Sequence, residues 1–224
     1  MRIHARLLAT SVAAAALAVG ASACGSSSTG SKTAAESAAP SGQSTKAILT
    51  VPKLSGVQTS VTLDPALLPA LTSLKVTPAP TGTATLTKPG GAATLNFPIT
   101  GGNVTIFNKG AVTPYVQGIV HHAGSGLSFT AGGKTLTVEN FDVDPGKSLL
   151  SAQVKEMNDA SIPLFFLNGT DLTITPPGSD GIARLDGTKV ELTAEAASAI
   201  NKYFGVTAFK QDMMIGVAHI QAKG

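Results

Sequence analysis

Leu164-Phe165-Phe166-Leu167-Asn168-Gly169-Thr170-Asp171-Leu172-Thr173-Ile174 carries the strongest structural signal in the chain. Short apolar, aromatic and β-branched runs flank Asn168-Gly169, the dipeptide best suited to a type I′ turn, whose two central residues need positive φ. This pattern predicts a β-hairpin, and the neighbouring sequence repeats its grammar. Val57, Thr59, Val61 and Leu63 alternate with Gln58, Ser60 and Thr62, the period of a half-buried strand. Similar alternation predicts strands at 83–87, 93–97, 104–107, 115–121, 127–130, 135–141, 149–154, 163–167, 172–175, 189–192 and 213–220. Gly132-Gly133 and Asp186-Gly187 mark further turns. Strands at this spacing, without βαβ alternation, predict a mainly β fold: an antiparallel β-sandwich or barrel.

One C-terminal α-helix interrupts the pattern, over about residues 193–204. Thr193 suits the N-cap, Ala196, Ile200 and Phe204 share one face, Lys202 lies near the end and Gly205 fits the C′ position. Such a helix is expected to plug one end of the sheet assembly.

The N-terminus reads as an address rather than as structure. Arg2, His4 and Arg6 precede an uncharged run rich in Ala, Leu and Val from Leu7 to Gly20. That run is shorter than the ~20 apolar residues needed to span a bilayer, so residues 1–23 are expected to be an export signal. Ala21-Ser22-Ala23-Cys24 resembles a lipobox, with Ala21 where Leu is usual. Cys24 is the chain's only cysteine, and a stray thiol would be a liability outside the cell. It is therefore the expected site of lipidation, anchoring a lipoprotein to the extracytoplasmic face of the cell membrane. Residues 24–48, rich in Ser, Gly, Ala and Thr, read as a flexible tether. Residues 49–224 then form a single β-rich domain.

Charge narrows the partners. Removal of Arg2 and Arg6 takes Lys+Arg from 16 to 14, against 13 acidic residues. Arg184 is the one arginine left, and the lysines are scattered, so no nucleic-acid partner is expected. With a single cysteine there are no disulfides, and the fold must rest on its core.

Motifs for chemistry dissolve on inspection. Gly132-Gly133-Lys134-Thr135 lacks the earlier Gly of a phosphate loop and leads into strand rather than helix. Gly124-Ser125-Gly126 has Ala123 where a nucleophile elbow needs Gly. Asp142-Val143-Asp144-Pro145-Gly146 lacks the later ligands of a calcium loop and reads as a strand's solvent face running into a turn. His121-His122 stands out more. Consecutive strand residues face opposite ways, so the pair cannot hold one metal without a bulge, and one histidine is expected to pack or hydrogen-bond while the other is solvated. A single histidine could still bind haem or a metal with a partner from another strand.

The stretch from Tyr115 through His121-His122 to Leu127, with the later run Leu192-Thr193-Ala194-Glu195-Ala196-Ala197, resembles the haem-transport-associated domain of actinobacterial envelope proteins. The resemblance implies a β-rich, surface-attached domain that binds haem through Tyr115 with His121 or His122. The residues themselves point first to a non-enzymatic envelope lipoprotein: a binding or structural module with no required cofactor and no metal, recognising a ligand or envelope partner. A haem or metal carrier is the second reading, and a carrier of a lipid or other hydrophobic ligand the third. An apolar interior cavity lined by Phe and Leu would favour that third reading, and a filled core a scaffold.

Overall fold

Period-two patterning over most of the domain leaves the backbone one way to satisfy its polar groups, in ladders between neighbouring strands. The computed structural model describes residues 45–224, all within one compact unit. Cys24, the signal and most of the expected tether lie outside the described residues. The first half contains β1 (Leu49–Val51), β2 (Gly56–Leu63), α1 (Leu67–Ser73), β3 (Thr77–Gly82), β4 (Thr85–Thr87), β5 (Thr94–Pro98) and β6 (Gly101–Ile106). Next come β7 (Val116–Ala131), β8 (Lys134–Asp144), β9 (Leu149–Val154) and β10 (Ala160–Asn168). The chain ends with β11 (Thr173–Thr175), β12 (Ile182–Leu192), α2 (Ala194–Phe204) and β13 (Met214–Lys223).

The strands form one antiparallel sheet in the order β1-β6-β7-β8-β9-β10-β12-β13-β2-β5-β4, with β3 on β7 and β11 on β12. β6 pairs with the first part of β7 (Val116 to His121), and β3 takes the same edge further on (Ser125 to Thr130). Since β4 pairs with β5 at the far margin and only Thr83 and Ala84 separate it from β3, this corner draws the two margins together. The sheet is therefore curled into a half-barrel. A larger core fills the curl beneath α1 and α2, and a smaller one, built on Leu54, Ile99, Ile106, Val120 and Leu185, fills the other end.

The corner explains Gly124-Ser125-Gly126. Residues 116–121 and 127–130 are not separate strands joined by a turn; they belong to the single strand β7. Between them, β7 advances from His122 to Gly126 while β8 moves only from Phe141 to Glu139, a bulge in the ladder. The bulged Gly124 carbonyl accepts the Thr83 N–H at 2.9 Å, and the Ser125 hydroxyl, fully buried, lies 2.8 Å from that of Thr83. A Cβ on Gly82 would overlap the Gly124 carbonyl, so the corner admits only glycine there.

Two turns expected from sequence are absent. Gly132-Gly133 does reverse the chain, from Ala131 to its partner Lys134. Asn168-Gly169 does not: β10 and β11 never pair, and both lie along one edge of β12. Partners run from Phe165↔Leu192 to Asn168↔Lys189, then resume at Thr173↔Asp186, so the chain makes an excursion and continues in the same direction. The Asn168 side chain accepts the Thr170 N–H at 3.2 Å, a local turn that stands in for the type I′ geometry. Asp186-Gly187, also expected as a turn, lies inside β12 as a bulge against β13. A Cβ on Gly187 would come within 2.7 Å of the Asp171 carbonyl oxygen, so the excursion packs directly over that glycine.

The expected helix forms as α2. Thr193 caps it by accepting the Ala196 N–H at 3.1 Å, and Gly205 ends it at φ 71°. β1, β3 and α1 were not expected. Pro78 and Pro80 mask β3, yet an edge strand tolerates proline because half of its N–H groups bond to no neighbour. In α1, Pro69 falls within the first turn, where its missing N–H costs nothing.

Candidate functional site

The histidine pair behaves as period two requires. His122 points into the core, 1% exposed, and packs edge-on against Phe97 with ring centroids 6.3 Å apart. Its Nδ1 faces the Pro98 carbonyl at 3.0 Å and must carry the proton there. Nε2 then accepts from the Thr59 hydroxyl at 3.2 Å. Burial pushes the His122 pKa below the usual histidine value, so the ring stays neutral with both nitrogens engaged. His121 faces the other way, half-exposed, with Nδ1 2.6 Å from the carboxylate of Asp142, its partner on β8. His219 and Asp186 form the same kind of cross-strand pair between β13 and β12, at 3.0 Å.

Tyr115 lies just before β7, six residues from His121, or ~20 Å along an extended strand. Its hydroxyl donates to the Leu172 carbonyl at 3.3 Å, and burial pushes its pKa up. Together with Val116, Leu172 and Ile220 it lines a small apolar cavity of about 100 Å³. Tyr115 and the two histidines are therefore not brought together. Asp144 and Lys147 pair at 2.8 Å in the turn after β8, and no cluster of three or more metal-ligating side chains occurs among the described residues.

The larger feature is a cavity of about 260 Å³ inside the curl. Its walls come from the inward-facing residues of the sheet, among them Leu95, Leu127, Phe129, Leu136, Leu164 and Ile215. α1 contributes Leu67 and Leu71, and α2 contributes Ala196, Ala199 and Ile200. α2 is held against the sheet at both ends. At its start, the Thr193 hydroxyl donates to the Pro163 carbonyl at 2.7 Å; near its end, the Tyr203 hydroxyl donates to the Thr135 carbonyl at 2.6 Å. The Asn201 amide grips the backbone of Phe209, donating to its carbonyl at 2.8 Å and accepting its N–H at 3.1 Å, and so fixes that ring in the wall.

Lys88 is the only charged residue in the lining. A water molecule needs two to four polar partners to settle in a cavity, and these walls offer almost none. Chemically, the space suits an apolar guest. Sequence reasoning assigned none of these residues to a site, because each reads as an ordinary inward-facing strand or helix position.

With the geometry established, the chain proves similar in structure to the C-terminal domain of HtaA from Corynebacterium glutamicum. The TM-score is 0.50 at 12% identity, over 76% of this chain and 97% of that one. The likeness is one of fold. It agrees at that level with the resemblance carried by residues 115–127 and 192–197. No family profile and no curated protein sequence matches the chain.

Proposed function

We propose that this domain is a non-catalytic binding module that holds an acyl chain or a similarly shaped apolar molecule inside its curled sheet, on an exported protein anchored to the membrane through Cys24. One observation carries the reading: a cavity of about 260 Å³ with apolar walls. Natural cores contain few voids larger than a water molecule. At ~24 cal/mol per Å³, a fully enclosed void of this size would forgo about 6 kcal/mol relative to a packed core, an upper bound for a cavity that also reaches solvent. A ligand that fills it recovers much of that. The geometry favours this reading over haem held by Tyr115 and a histidine, since Tyr115 is remote from His121 and both His122 nitrogens are occupied.

The test uses the protein from Lys46 onward, which contains both cores. A neutral probe, N-phenylnaphthylamine, should show saturable fluorescence enhancement, and native mass spectrometry should find lipid-sized adducts lost on solvent extraction. A protein that neither enhances the probe nor carries adducts contradicts the proposal. A hemin titration run alongside gives the competing result: a Soret band abolished by Tyr115→Phe would favour the haem reading instead.

A further inference from the structure

We infer that the guest is an anionic amphiphile whose headgroup stays at the cavity mouth on Lys88; this rests on the cavity being the binding site. The lining residues most exposed to solvent are Ala79 on β3, Leu86 on β4, and Lys88 just after β4, so the cavity reaches the surface along the β3–β4 side. Leu86 is 46% exposed, one of few large apolar side chains left uncovered among the described residues, and it stands beside the opening.

Lys88 joins an apolar stem to a charged tip. A lysine so placed lays its methylenes along apolar surface and keeps its ammonium in water. None of the ion pairs among the described residues involves Lys88, and no carboxylate lines the cavity. The ammonium is thus available to a ligand's negative charge. The residues that follow leave room for a headgroup: a Cβ on Gly90 or Gly91 would meet nothing within 4 Å. A carboxylate or phosphate on an alkyl chain matches this arrangement, because the chain gains from leaving water while the headgroup remains hydrated next to a cation. An exposed charge pair is worth up to ~1 kcal/mol, so the headgroup should improve affinity by about two- to five-fold. The chain supplies most of the binding and Lys88 the selection.

Three ligands with ten-carbon chains, namely decanoate, decanol and decyltrimethylammonium, compete against N-phenylnaphthylamine at low ionic strength, on the wild-type protein, Lys88→Gln and Lys88→Glu. Decanoate should bind the wild type about two- to five-fold tighter than decanol, with the cation weakest. Lys88→Gln should erase the preference, and Lys88→Glu should reverse it towards the cation. Equal affinities on the wild type, or a preference for decanoate that survives Lys88→Glu, overturn the headgroup assignment while the cavity reading stands. If none of the three displaces the probe, or the probe itself does not bind, the cavity reading falls and this inference with it.

Discussion

Filling the cavity from within should make the protein more stable and less able to bind. Ala199 lies on the face of α2 that lines the cavity, half-buried, with Ala196 and Ile200 on either side. Ala199→Leu would project three further carbons into the space. At ~0.8 kcal/mol for each carbon removed from water, the transfer gain is about 2.4 kcal/mol. Ordering the leucine side chain takes back ~0.5–1 kcal/mol, and the small loss of helix propensity a few tenths more. The net gain is about 1.4 kcal/mol. For a domain of this size, that raises Tm by about 3–6 °C. The same carbons occupy ligand space, so N-phenylnaphthylamine affinity should fall in the same variant. Thermal unfolding by circular dichroism and the fluorescence titration read the two effects separately. A well-packed core gives the opposite sign, because overpacking costs ~1–3 kcal/mol. A lowered Tm with unchanged probe affinity would refute the reasoning, since it would mean that Ala199 faces filled space.

Further expectations follow from other parts of the molecule. Gly82→Ala places a methyl group against the Gly124 carbonyl at a residue with φ 62° and should cost about 2–4 kcal/mol in urea unfolding, whereas Gly90→Ala, at φ 57° but in open space, should cost only about 1 kcal/mol. The His122 pKa is lowered in the fold, so the unfolded chain takes up the proton first. Stability should therefore decline as pH falls below the ordinary histidine value of about 6.5, and His122→Gln should flatten that decline in Tm measured against pH. Cys24→Ala should release the exported protein from the membrane fraction into the medium; continued membrane retention on fractionation would rule out the anchor.

Strand content was legible because alternation is a local property. Val57 to Leu63 and Thr135 to Phe141 show their buried faces without knowledge of their partners, and the same periodicity separated His121 from His122. Connectivity was not legible. Asn168-Gly169 favours a tight turn, but whether the following strand folds back on the preceding one depends on which edges are free. Here β9 and β12 already hold both edges of β10, so β11 can only continue along β12. Gly124-Ser125-Gly126 is similar: its small residues mark a place where another backbone approaches, and the approaching β3–β4 corner lies some forty residues earlier in the chain.

The cavity was illegible for a different reason. Leu127, Leu136 and Leu164 would carry the same alternation whether they met opposing side chains or empty space, because a void is set by the distance between walls rather than by the residues in any one of them. What keeps these walls apart is visible only in three dimensions. Relaxation around a void is what usually reduces its cost, and here relaxation is opposed on every side. The sheet is hydrogen-bonded across the curl and closed at the β3–β4 corner, while α2 is tied to β10 at its start and to the β7–β8 hairpin near its end. α1 is the exception, seven residues long with no side-chain N-cap bond, yet it also supplies Leu67 and Leu71 to the lining. A cavity with rigid walls that already reaches the surface beside Leu86 and Lys88 can admit a guest without dismantling the fold, with the short α1 as its least anchored wall.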